Sequence, residues 1–176
     1  MKNSIRKVAL SSATVIAAGA LGSAANAATA SVAIQAIVLD PVQITANNSL
    51  NFGSVTESGA GGTIVVDNGG FNSVTGAVTS IGGTIQPGTF TLKGSTGRNI
   101  QVDVANVATI SSGANTMTVN ALVLYNPAGT ITGDPITVTL GAATVAGFEL
   151  GGTLNVGAGQ AAGTYTGNVA VTAAYN

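Results

Sequence analysis

The sequence contains no cysteine and no histidine. The first absence excludes disulfides, thiolate nucleophiles, zinc–thiolate sites and a lipid-modified cysteine anchor. The second removes the usual acid or base near neutral pH, and with it any Ser-His-Asp triad. Charged residues make up only 6% of the chain and aromatic residues 4%, whereas an average soluble domain carries roughly a quarter charged residues. No basic patch is available for nucleic acid or anionic lipid.

What is abundant is glycine, 25 residues of it, spread among valine, isoleucine, threonine and alanine. That composition predicts short strands joined by tight turns. The N-terminus is different. Lys2, Arg6 and Lys7 precede a short apolar run, which ends in the A-x-A sequence of Ala25–Ala27. This is the layout of a secretory signal peptide over residues 1–27. The run falls short of the roughly 20 residues that span a bilayer, and no later stretch is long enough. The expectation is therefore export through the Sec pathway to the periplasm, cell surface or medium, with no membrane span in the mature chain. Past Ala27, Lys93 and Arg98 face six acids, a net charge of −4.

Residues 28–176 offer no convincing helix, because glycine interrupts every stretch long enough for several turns. Alternating runs bounded by Gly, Asn, Asp or Pro appear instead. They are ASVAIQAIVL, VQITA, SLNFGSV, GGTIVV, VTGAVTSI, GTFTLKG, NIQVDVANV, TMTVNALVLYN, DPITVTLG, FELGGTLNVG and the terminal stretch. Read as roughly nine or ten strands, since neighbouring runs can belong to one strand, with turn signals about every 8–14 residues, they predict an all-β sandwich or barrel in one domain over residues 39–176. GGTI at Gly61–Ile64 and Gly82–Ile85, and GGTL at Gly151–Leu154, have no fixed spacing, which argues against a solenoid. Strands this short, with so few aromatics, argue against an outer-membrane barrel.

Carboxylates are the only candidates for catalysis, and they are scattered singly along the sequence. Asp67 precedes Asn68-Gly69-Gly70 and Asp134 precedes Pro135, both turn sites. Glu57, in TESGAGG, reads as an exposed loop residue. Asp103 lies on the strand face opposite Val102 and Val104 and reads as solvated. A calcium site needs several clustered oxygen ligands, and VVDNGG offers one carboxylate. The glycine-rich SGAGG lacks the lysine of a phosphate loop. The expectation is no enzyme, no metal and no cofactor.

The two ends carry the strongest patterns. In Ala30–Val38, the residues Ala30, Val32, Ile34, Ala36 and Val38 share one face of an extended strand. An apolar alternating segment of this kind needs a strand partner, within its own domain or in another molecule. In GTYTGNVAVTAAYN, the residues Tyr165, Val169, Val171, Ala173 and Tyr175 share a face and predict a core strand.

Together with the motif Leu50, Phe52 and Gly53 in LNFGSV, these ends resemble the domain-of-unknown-function 4402 family of exported bacterial proteins. They are also similar to the spore coat U and archaic chaperone–usher pilin group, although those pilins usually carry cysteines. The resemblance implies an immunoglobulin-like antiparallel β-sandwich, and the likeness to the pilin group implies that it is incomplete in itself and completed by a donor strand from residues 28–38 of another subunit. It implies a structural subunit of a pilus-like surface fibre, with a role in adhesion or biofilm. Its partners would be identical or related subunits, a periplasmic chaperone and an outer-membrane usher. The alternative is a self-complete surface or secreted binding module, with Ala30–Leu39 as its own first strand and the Thr56–Gly62 loop contacting a ligand.

Overall fold

The computed structural model describes residues 27–126 and 132–176. The signal-peptide reading therefore falls almost wholly outside the described residues. The chain divides into two units, Met1–Ala36 and Ile37–Asn176. In the first, residues 27–36 carry no regular secondary structure and every side chain is exposed.

The second unit is built of strands, with no helix among the described residues. In chain order they are β1 (Gln43–Asn48), β2 (Asn51–Asp67), β3 (Gly70–Gln86), β4 (Gly88–Lys93), β5 (Asn99–Val104) and β6 (Ala108–Ser112). There follow β7 (Asn115–Tyr125), β8 (Thr132–Gly133), β9 (Ile136–Thr139), β10 (Val145–Val156) and β11 (Val171–Tyr175). All pairings are antiparallel. The larger sheet has the order β1-β4-β10-β2-β3, and β7, flanked by β6 and β8, takes the other edge of β10. The smaller sheet is β11-β5-β9. The two pack as a β-sandwich.

β10 organises the larger sheet because it is long enough to hold two partners in succession on one edge. Its first half pairs β4, ending at Leu150 opposite Gly88. Its second half pairs β2, starting at Gly152 opposite Val66. The inner faces of both sheets supply the core, with Leu92, Phe148, Leu150 and Leu124 from one and Ile100 and Val102 from the other, all fully buried. Phe90 and Phe148 are cross-strand partners, and their rings stack at 5.0 Å and 7°, which adds to the area they bury. In β5 the alternation of the sequence appears directly: Ile100, Val102 and Val104 are buried, and Gln101 and Asp103 are exposed.

The strand inventory differs from the sequence expectation in three places. Residues 30–39, expected as a strand in one reading, form none. The runs SLNFGSV and GGTIVV are one 17-residue strand, and VTGAVTSI is the middle of a second, Gly70–Gln86. Glycines that read as breaks act instead as bulges within continuous pairing, where the register shifts between Phe52 and Ser54 and between Glu57 and Gly62. β6, a short polar stretch of Ala, Thr, Ile and Ser, had no alternation strong enough to announce it.

Candidate functional site: an apolar groove beside an open strand edge

The terminal stretch is not one continuous strand. Gly163–Ala170 precedes β11 and is joined to β6 by a single bridge between Ser111 and Thr166, whose backbone groups exchange both hydrogen bonds. Two glycines allow that approach. A Cβ at Gly167 would stand 2.4 Å from the Thr109 carbonyl oxygen, and one at Gly163 would stand 2.5 Å from Ser112 Oγ. β11 then crosses to the smaller sheet, where Val171, Ala173 and Tyr175 lie opposite Val104, Val102 and Ile100.

The burial alternates as the sequence pattern implies, but it stops halfway. Tyr165, Val169, Val171, Ala173 and Tyr175 all pack against the core, yet each stays half-buried. In extended chain, alternate residues send their backbone groups to opposite edges. Thr166 sends its pair to β6. Among the described residues, the N–H groups of Tyr165, Gly167 and Val169 have no backbone partner. This edge is open.

Beside it lies a groove of about 1060 Å³. Leu50, Phe52 and Val55 line it from the β1–β2 side, and Tyr165 and Val169 from the terminal stretch. The buried side chains of Met117, Leu150 and Leu154 form its base. The motif residues therefore meet here. Phe52 is buried, Leu50 is half-buried, and Gly53 adopts φ 72° at the bulge. A side chain at Gly53 would clash with Ile85 Cγ1 at 2.6 Å and with the Gly82 carbonyl oxygen at 2.7 Å, so both the backbone and the packing require glycine.

Polar contacts fix the wall of the groove. Tyr165 Oη donates to the Ala161 carbonyl at 2.7 Å and accepts from Gln160 Nε2 at 2.7 Å. Glu57 holds the neighbouring turn. Its carboxylate accepts from the N–H groups of Gly59, Gly61 (2.7 Å) and Gly159 (3.0 Å). The Gly61 N–H above all, with help from Gly59 and Gly159, keeps this carboxyl below the usual range. TESGAGG is therefore a pinned bulge within β2, and its one charged group is occupied by backbone. Thr56–Gly62, expected as a loop, is therefore strand.

The acids are also less scattered than the sequence suggests. Asp67 is a turn residue, accepting from the Gly69 N–H at 2.8 Å. Asp103 and Asp134, however, come together, because β5 pairs β9, with Val102 opposite Ile136, and Asp134 lies two residues before β9 begins. Asp134 Oδ1 accepts from the Val104 N–H at 3.0 Å. The hydrogen bond to Asp134, followed by partial desolvation and by the repulsion of the Asp134 charge, raises the Asp103 carboxyl above its ordinary value.

A family model described as a domain of unknown function (DUF4402) matches residues 42–175. The chain belongs to this family. No curated protein matches it. The family match spans the whole sandwich from β1 to β11, including both sides of the groove. It begins after the alternating N-terminal segment, so Ala30, Val32, Ile34, Ala36 and Val38 lie outside the matched region. All five are exposed. Among the described residues, no helix is long and apolar enough to cross a membrane, and no cluster of three or more Asp or Glu could hold a metal ion.

Proposed function

We propose that this protein is a structural subunit of a bacterial surface fibre, polymerised by donor-strand complementation. Residues 28–38 of one copy would enter the groove of the next and pair with the open edge of Gly163–Ala170. Backbone hydrogen bonds give such a contact its affinity, and alternate side chains give it specificity. The observation that carries this reading is the match between two parts of one chain. One is an apolar groove beside unpaired backbone. The other is an exposed segment whose apolar residues alternate. The nine residues of Ala30–Val38 span roughly 30 Å when extended, against roughly 26 Å for the eight of Gly163–Ala170. Export through the Sec pathway, a periplasmic chaperone that covers the groove before assembly, an outer-membrane usher, and a role in adhesion or biofilm all belong to the same proposal.

The test compares the chain starting at Ala28 with one starting at Ile37. Each is run unboiled and boiled on a denaturing gel and imaged by negative-stain electron microscopy. The expected result is a heat-dissociable ladder and filaments that vanish on truncation. A cooperative monomer from the longer chain, with no ladder at any concentration, would overturn the proposal.

A further inference from the structure

Asp40 stands where the sandwich is entered from the N-terminal side, two residues after Val38, and both of its backbone groups are taken. Its N–H donates to Ser95 Oγ at 2.7 Å, and its carbonyl accepts from Tyr175 Oη at 2.6 Å. Tyr175 Oη in turn accepts from the Ser95 N–H at 2.7 Å. These three contacts close a triangle between the first, middle and last parts of the domain. The tyrosine hydroxyl reaches it beside Gly94, where a Cβ would stand 2.9 Å from Oη and 2.9 Å from Ile100 Cδ1. Pro41 follows, with φ locked by its ring, and biases Asp40 itself towards extended backbone.

A strand partner needs none of this. β1 starts only at Gln43 and pairs β4 from that residue onwards, three residues past the clamp on Asp40. What the triangle does is fix the direction of the chain at Asp40. We propose that Tyr175 and Ser95 are positioning residues that lock the exit of the N-terminal segment, so that consecutive subunits are held by a short, stiff joint. This rests on the donor-strand reading above. If Val38 is the last residue seated in the neighbouring groove, only Leu39 separates it from the lock. The two Cα steps from residue 38 to 40 reach at most about 7 Å. One subunit then abuts the next with almost no free linker, and the fibre inherits its stiffness from a hydroxyl at the end of β11.

The experiment measures fibre persistence length by electron microscopy, using the full mature chain and three variants. Tyr175→Phe keeps the ring and removes the hydroxyl. A second variant inserts four Gly/Ser residues between Leu39 and Asp40 and leaves the sandwich untouched. Thr75→Val is the control, since it removes the hydroxyl bond between Thr63 and Thr75 (2.7 Å) on the β2–β3 hairpin and perturbs stability but not the joint. Persistence length should fall roughly twofold or more in the first two, as a flexible linker replaces a fixed one, and stay unchanged in the control. If the insertion softens the fibre and Tyr175→Phe does not, the lock is refuted. If neither does, the short joint is refuted as well. If the wild-type chain forms no fibre at all, the donor-strand reading fails, and that result differs from the other two.

Discussion

Ile34 and Ile37 provide the sharpest test of which face of the N-terminal segment is read. They are the same residue type, three positions apart, and both are exposed, at 96% and 66%. They lie on opposite faces of an extended strand. Ile34 is on the face proposed to enter the groove. Ile37 is on the face that would look outward. Ile→Ala removes three carbons, and each buried carbon is worth about 0.8 kcal/mol, so Ile34→Ala should weaken insertion by about 2.4 kcal/mol. That is roughly 50-fold in dissociation constant. Ile37→Ala should cost under about 0.5 kcal/mol, less than roughly threefold, as for other exposed positions. A fluorescent peptide covering residues 28–39, in three versions, is titrated into the chain that starts at Ile37 and followed by anisotropy. Equal losses for the two substitutions would show that no single face is recognised. A larger loss for Ile37→Ala would show that the register is shifted by one residue, and either result refutes the assignment of Val32, Ile34, Ala36 and Val38 as anchors.

Three further predictions concern the sandwich itself. Gly62→Ala places a Cβ 2.0 Å from the Thr75 carbonyl oxygen across the β2–β3 pairing, and the urea midpoint should fall by an amount equal to at least about 1–3 kcal/mol. Glu57 has its folded pKa lowered by the Gly61 N–H and its neighbours, so its contribution is present above the unfolded value and is lost as pH falls through the folded one. Glu57→Gln should remove that acid-side slope from a stability–pH profile. Asp103 is the opposite case: its folded pKa is raised, chiefly by the hydrogen bond to Asp134. Its contribution is present below the unfolded value and is lost as pH rises through the folded one, so Asp103→Asn should melt higher than wild type at pH 7 and no higher in acid.

Much of the sandwich was legible because its strands alternate cleanly. NIQVDV predicts β5 with the correct buried face, and GTFTLK predicts β4 with Leu92 inside. The pinned bulge at Glu57 was not legible. Glycine-rich sequence signals freedom of backbone, and only the tertiary pairing shows that the freedom is used to bulge a strand rather than to make a loop. Nor could the meeting of Asp103 and Asp134 be seen, because it depends on β5 pairing β9 across 30 residues of chain. β6 was missed for a related reason. Its partner β7 supplies the alternation, and a short polar edge strand gains its structure from that neighbour.

The terminal stretch shows most clearly why pattern and burial are separate questions. Alternation from Tyr165 to Tyr175 says which face turns inward, and the structure agrees about the face. It does not say how much covers that face. The cover on one side comes from β6 and β5, which the segment joins in turn. On the groove side the backbone edge stays open and the side chains stay half-exposed. An alternating apolar stretch that stays half-exposed, beside backbone N–H groups with no backbone partner among the described residues, still has burial and pairing to gain. Phe52 and Leu50 line the same groove, next to the register shift at Gly53. The motif at one end of the domain and the terminal stretch at the other therefore line the two sides of a single groove.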